Sequence, residues 1–188
     1  MYMLLGDNQF VRMKNTFAFP SDTICLAVSG ATIVETNTNP WIKGILQEYL
    51  ADNENLDRSE VTVFLMGGTN DFLQGIDLKS FQVAYKSLLR FIRKKFTKVI
   101  VCPPPPIPKF GVDGIKSLKE CNHWFYSLVP MVHTVDSFTS YMDPSGESPN
   151  LSLFEETFPD GSPDMVHLNE AGLFELKNIL LIKDQEIR

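Results

Sequence analysis

Tyr2-Met3-Leu4-Leu5-Gly6-Asp7-Asn8-Gln9-Phe10-Val11-Arg12 passes from a short apolar run to a helix-period segment with only a Gly-Asp step between them. An apolar run of this length followed by turn residues and an amphipathic segment reads as a buried strand feeding a helix. The same change of pattern recurs along the chain. Strand-like runs lie at Tyr2 to Leu5, Ile24 to Val28, Val61 to Met66, Val99 to Cys102 and Met131 to Val135. Helix-period segments accompany them at roughly Gln9 to Phe17, Trp41 to Ala51, Leu78 to Phe96, Ile115 to Leu128 and Asn169 to Lys183. Strand and helix alternating in this way predict a three-layer α/β/α sandwich around a five-stranded parallel sheet, with right-handed crossovers. In such sheets ligands bind outside the carboxyl ends of the strands.

The composition fits that reading. The chain has 188 residues, 44% of them hydrophobic, with 17 basic and 23 acidic side chains for a formal net charge of −6. That is enough apolar surface for one core, so residues 1–188 are expected to form one domain, and disorder is excluded as the default. No run approaches the ~20 apolar residues that span a bilayer, so no membrane partner is expected. Cys25, Cys102 and Cys121 are odd in number and lack metal-ligand spacing, which fits a reducing, cytoplasmic setting with no disulfide framework, metal or cofactor. The acidic balance argues against coating nucleic acid by bulk charge, while leaving room for a local basic patch.

The helix Leu78 to Phe96 has such a patch. Phe81, Ala84, Tyr85, Leu88, Ile92 and Phe96 form one stripe at spacings of three and four, and Lys86, Arg90, Arg93 and Lys94 fall opposite it. Cations at a helix carboxyl end have a structural explanation in the macrodipole and solvation. They also suit phosphate contacts to single-stranded RNA, each releasing counterions. Pro103 to Pro106 must leave the sheet as a stiff extended segment able to wall a cleft. Asp143 to Asp160 reads as a long loop.

Four short segments remain: Gly6-Asp7-Asn8 after the first strand, Ser29-Gly30 after the second, Gly68-Thr69-Asn70-Asp71 after the third, and Asp164-Met165-Val166-His167 before the last helix. Singly they have ordinary explanations. Gly6, Gly30 and Gly68 suit turns needing positive φ, Asn70 and Asp71 suit caps, and His167 suits an exposed helix start. His123 and His133 lie outside every segment and read as packed or solvated. Together, and in this order, the four segments resemble the SGNH (GDSL-type) hydrolase family over almost the whole chain. The resemblance implies a flavodoxin-like sandwich carrying an ester-hydrolysing site. In it the Gly30 N–H and the Asn70 amide would hold an oxyanion, His167 would be the general base, and Asp164 would orient its imidazole.

The family has a serine nucleophile after Gly-Asp, whereas this chain has Asn8. An amide nitrogen is delocalised into its carbonyl and is a poor nucleophile, so the acyl-enzyme route is closed. Ser29 and Thr69 lie on segments that the family uses for oxyanion donors and do not replace it. The segment Gly6 to Arg12 is similar to the Gly-Asp-Ser-x-x-x-Arg pattern of eukaryotic branches. The chain also resembles the degenerate SGNH-like domains typified by the carboxyl-terminal domain of Oskar, which lost hydrolase residues and took on RNA binding. The expected function is therefore a catalytically impaired binding module for RNA or a protein partner. The alternative is an ester or acetyl hydrolase binding an acyl ligand, either through a water-activating His167 and Asp164 pair or as an active-serine enzyme altered at position 8.

Overall fold

The computed structural model describes residues 1–128 and 131–188. Five strands, β1 (Tyr2–Gly6), β2 (Ile24–Cys25), β3 (Thr62–Met66), β4 (Lys98–Cys102) and β5 (His133–Thr134), form one sheet in the order β2-β1-β3-β4-β5 with every pairing parallel. The helices are α1 (Asn8–Thr16), α2 (Ile42–Asp52), α3 (Thr69–Leu73), α4 (Leu78–Arg93), α5 (Gly111–Tyr126), α6 (Ser137–Ser140) and α7 (Glu170–Glu186).

Alternation along the central strands creates the layers. Met3, Leu5, Val63, Leu65, Val99 and Val101 point to one face and pack with Leu46 of α2, Phe81, Tyr85, Leu88 and Ile92 of α4, and Phe125 of α5. Leu4, Phe64, Met66, Ile100 and Cys102 point to the other, against Phe10 and Met13 of α1 and Leu173, Leu176 and Leu180 of α7. Both faces are covered, which is why these strands read as unbroken apolar runs. The α4 stripe is buried as the spacing predicts, although Ala84 is only partly covered.

The edges depart from expectation. β2 stops at Cys25 rather than Val28, yet the Leu26 and Val28 N–H groups still donate to Leu4 O (2.8 Å) and Gly6 O (3.0 Å) before the chain turns away at Ser29-Gly30. β5 begins two residues later than the apolar run, because Met131 is 44% exposed and its N–H closes a turn onto Leu128 O. The one-turn helices α3 and α6 carry no amphipathic period and were not expected. α5 starts a turn before Ile115, at Gly111.

Register places the site. Gly6 pairs with Met66 and Met66 with Cys102, so β1, β3 and β4 end level and release Asp7, Gly67-Gly68 and Pro103 at one edge. Gly6 is required by close approach rather than by positive φ, since a Cβ there would sit 2.3 Å from Met66 O. Gly30 (φ 78°) and Gly68 (φ 131°) do occupy the left-handed half of backbone space that glycine favours. The segment 143–160 has one 3₁₀ turn, Leu151–Leu153, and isolated bridges at Pro149, Phe154 and Thr157. It is nevertheless tied down by Asn150 N–H to Tyr141 O (2.8 Å), Glu155 N–H to His167 O (2.8 Å) and buried Phe154. Among the described residues no helix is long and apolar enough to cross a membrane.

Candidate active site

The Gly-Asp step leads straight from β1 into α1. Asp7 is the N-cap, its Oδ1 accepting the Gln9 N–H at 3.1 Å, so Asn8 is the first helical residue and its backbone N–H has no carbonyl within the helix to meet. The Asn8 side chain meets the loop before α7, with Nδ2 2.7 Å from His167 Nε2. On the opposite side of the ring, His167 Nδ1 lies 2.9 Å and 3.0 Å from the two Asp164 oxygens. Asp164 is 2% exposed, and its Oδ1 also accepts the Val166 and His167 N–H groups. A carboxylate so held selects the tautomer in which Nδ1 donates to Asp164, leaving the Nε2 lone pair to accept the Asn8 N–H.

Gln9 joins the two halves. Buried at 1% exposure, it donates Nε2 to Val166 O (3.2 Å) and accepts the Leu168 N–H on Oε1 (3.1 Å), bracketing His167 on both sides. Met165, beside it, is the one non-glycine with positive φ (55°) among the described residues. Arg12, one turn of α1 further on, pairs with Glu155.

A cleft of about 130 Å³ opens over these groups, lined by Asp7, Asn8, Gln9, Thr69, Asn70, Leu73, Lys109, Phe158, Val166 and His167. Asn70 gives one amide hydrogen to Ala31 O (2.9 Å) and retains the other. Next to it, buried Asp71 accepts the Ile33 and Val34 N–H groups at 2.9 and 2.8 Å, fastening the segment after Gly30 to α3. Gly30 itself is not among the lining residues. Its carbonyl accepts from Asn39 Nδ2 (2.9 Å). Thus Asn8, Asn70, Asp164 and His167 meet at one site, while Gly30 stands beside it in the turn after β2. Pro103 to Pro106 are buried, and the wall on that side is Lys109, beyond the end of the run.

Asp7 is the site's unusual carboxyl. Burial pushes it from the ordinary 3.8 up to about 7, with the Asp71 charge adding to the rise and the Gln9 N–H opposing it. The Thr69 hydroxyl also opposes the rise, yet neither it nor Asp7 Oδ2 makes a hydrogen bond of normal geometry among the described residues. Asp71 is raised by burial too, against the pull of its backbone donors.

Sequence reasoning missed Gln9, Lys109 and Phe158. The Phe158 ring stands edge-on to His167, with centroids 5.7 Å apart. These three carry no motif, and only the folded loops bring them to the cleft. His123 and His133 are exposed and line no part of it. Among the described residues no group of three or more His, Cys, Asp or Glu is placed to hold a metal ion. On α4, Lys86, Arg90 and Arg93 border a separate groove of about 250 Å³ with Leu89 and Met131, whereas Lys94 is exposed outside it. None of these four cations pairs with a carboxylate among the described residues.

A parallel α/β/α sandwich whose Asp-His pair faces the residue after Gly-Asp, at the carboxyl edge of the sheet, is the arrangement of SGNH-type hydrolases. The chain belongs to the GDSL-like lipase/acylhydrolase family, whose model matches residues 9–173 and so begins just past Asn8. No curated relative matches the sequence. Among solved structures, a candidate acylhydrolase of Bacteroides fragilis superposes with TM-score 0.73 at 18% identity, covering 100% of this chain and 88% of that one. The carboxyl-terminal domain of Drosophila Oskar superposes with TM-score 0.66 at 16% identity, covering 96% and 86%. A catalytic mutant of an acetylxylan esterase from Geobacillus stearothermophilus gives 0.63 at 13%, covering 97% and 93%. At these identities the likeness is one of fold.

Proposed function

We propose that this chain is a family member without hydrolytic turnover that acts as a binding domain. The observation that carries this reading is the 2.7 Å contact from Asn8 Nδ2 to His167 Nε2. The base that would activate a serine hydroxyl instead accepts a hydrogen bond from an amide that cannot attack a carbonyl. In a serine hydrolase, loss of the nucleophile alone costs on the order of 10⁶ in turnover.

The partner that the surface fits best is single-stranded RNA. Lys86, Arg90 and Arg93 around one groove form a local cationic face on an acidic protein, and phosphates would meet cations free of internal carboxylate partners among the described residues. A protein partner is the competing outcome, marked by weak salt dependence. The unpaired thiols, two of them buried, suit the cytoplasm.

One observation favours a second reading, ester or acetyl hydrolysis. The Asp164-His167 pair is intact, so His167 could activate water once Asn8 releases it. The deciding experiment treats the protein with a serine-directed organophosphonate and assays short-chain aryl esters, alongside Asn8→Ser and Asn8→Ser, His167→Ala variants. The non-hydrolytic reading expects no labelling and no turnover for the chain itself. Asn8→Ser is expected to gain both, and the double variant to lose turnover. Stoichiometric labelling or His167-dependent turnover in the unaltered chain overturns it.

A further inference from the structure

Trp124 stands beside the cationic groove on α4. Lys86 borders that groove, and its Nζ lies 5.9 Å from the Trp124 ring centroid. The indole is half-buried, and the core holds it from its inner side. Phe81, Tyr85 and Phe125, each wholly buried, meet it in T-shaped contacts with centroids 6.2, 5.8 and 5.0 Å away. A ring fixed by three others in this way presents a surface that costs little entropy to use. The indole N–H of Trp41 donates to Ile33 O at 3.1 Å, whereas that of Trp124 engages no acceptor among the described residues.

The groove supplies what an aromatic ring alone does not. Arg90 and Arg93 continue from Lys86 along α4, and the helical rise puts ~10 Å between the first and the last. No carboxylate lines this groove, and Leu89 and Met131 give it hydrocarbon. Trp41 is the contrast. Lys43 covers it too, at 5.5 Å, but the groove that Trp41 lines also includes Glu35 and Asp77. Of the two tryptophans, only Trp124 adjoins a groove whose charges are all positive. Lys86 itself is exposed, and an exposed cation–π contact is weaker than the stacking of a nucleobase on an indole. A base can therefore take the ring and release the ammonium to a phosphate.

We propose that Trp124 is a base-stacking platform at the end of the α4 groove, where an unpaired nucleobase lies on the indole that Lys86 now covers while Lys86, Arg90 and Arg93 hold the flanking phosphates. The proposal rests on the reading of this groove as a single-stranded RNA surface and goes beyond it in requiring a base, since charge alone binds any polyanion. A duplex keeps its bases stacked on one another and offers none to the ring.

The test is an NMR titration of the chain, isotopically labelled at tryptophan, with a short oligouridylate, the same strand lacking its bases, and a duplex of equal length. Anisotropy of labelled RNA is read in parallel. The oligouridylate is expected to shift the Trp124 indole signal saturably, with the same midpoint as the anisotropy, and to leave that of Trp41 in place. The strand without bases should bind the unaltered chain about tenfold more weakly, a comparison that needs no variant to fold. Trp124→Leu should lose a similar factor and Trp124→Phe, which keeps a π-face, less. Phe174→Leu, at an exposed ring on α7, should change nothing. Equal affinity for the strand without bases, duplex binding as tight as the single strand, or RNA binding with an unmoved Trp124 signal overturns the platform while leaving the RNA reading standing. Absence of saturable anisotropy at low salt overturns both.

Discussion

Replacing Asp7 by Asn tests the electrostatics of the site through stability. Burial raises this carboxyl from the ordinary 3.8 to about 7. Between those values the native state holds a proton that the unfolded chain has released, so stability falls as the pH rises through the window. Below about 4 the penalty is absent, and above about 7 it is complete. About three pH units at ~1.4 kcal/mol each set a ceiling of ~4 kcal/mol. Asparagine keeps an Oδ1 for the Gln9 N–H and puts a neutral amide where Oδ2 has no partner. Asp7→Asn is therefore expected to match the parent in stability near pH 4 and to exceed it by about 2–4 kcal/mol at pH 8. Urea unfolding at both pH values reads this as a midpoint shift at constant m-value. Some pH dependence should survive in the variant, because Asp71 is raised by the same cause. Asp57, Asp77, Asp143 and Asp160 are lowered by their serine and backbone donors, and their effects fall below the window. A difference between parent and variant that is the same at both pH values would refute the assignment of the titration to Asp7.

Gln9→Leu removes both hydrogen bonds that bracket His167 and leaves Val166 O and Leu168 N–H buried without them. It should cost roughly 2–4 kcal/mol in urea unfolding and, in an Asn8→Ser background, lower ester turnover more than it raises KM. Asp184→Ala strands the Tyr2 and Thr62 hydroxyls and the Arg188 guanidinium around a residue 1% exposed, for an expected loss of about 2–3 kcal/mol in the same assay. If the α4 face binds RNA, phosphate contacts from the three cations around its groove give a log–log salt slope of ~2. The double charge reversal of Arg90 and Arg93 to Glu should abolish that binding in filter or anisotropy titrations without changing the unfolding midpoint. A slope near zero would point instead to a protein partner.

The layers were legible in the chain because they follow from local periodicity. The period of three and four in α4 and the unbroken apolar runs of β1, β3 and β4 record which side chains leave water, and the strand–helix alternation leaves few topologies. The resemblance to the hydrolase family, carried by four short motifs, also drew attention to Asp164, His167 and Asn8, because such motifs are read by residue identity and order along the chain. Edge strands were less legible. β2 and β5 are partly exposed, and whether Val28 or Met131 belongs to the ladder depends on where a neighbouring strand ends.

Tertiary structure alone decided the rest of the site. Gln9 lies 157 residues from Val166 yet hydrogen-bonds to it, and Phe158 and Lys109 reach the cleft from two loops with no shared sequence pattern. Gly6 looked like a turn glycine, but its constraint is the carbonyl of Met66 on the adjacent strand. Local sequence encodes local geometry and burial. It does not encode the approach of two distant loops, which depends on where strands of different length stop and how the helices between them pack. The raised carboxyl of Asp7 belongs to the same class, because burial depends on every layer folded around it.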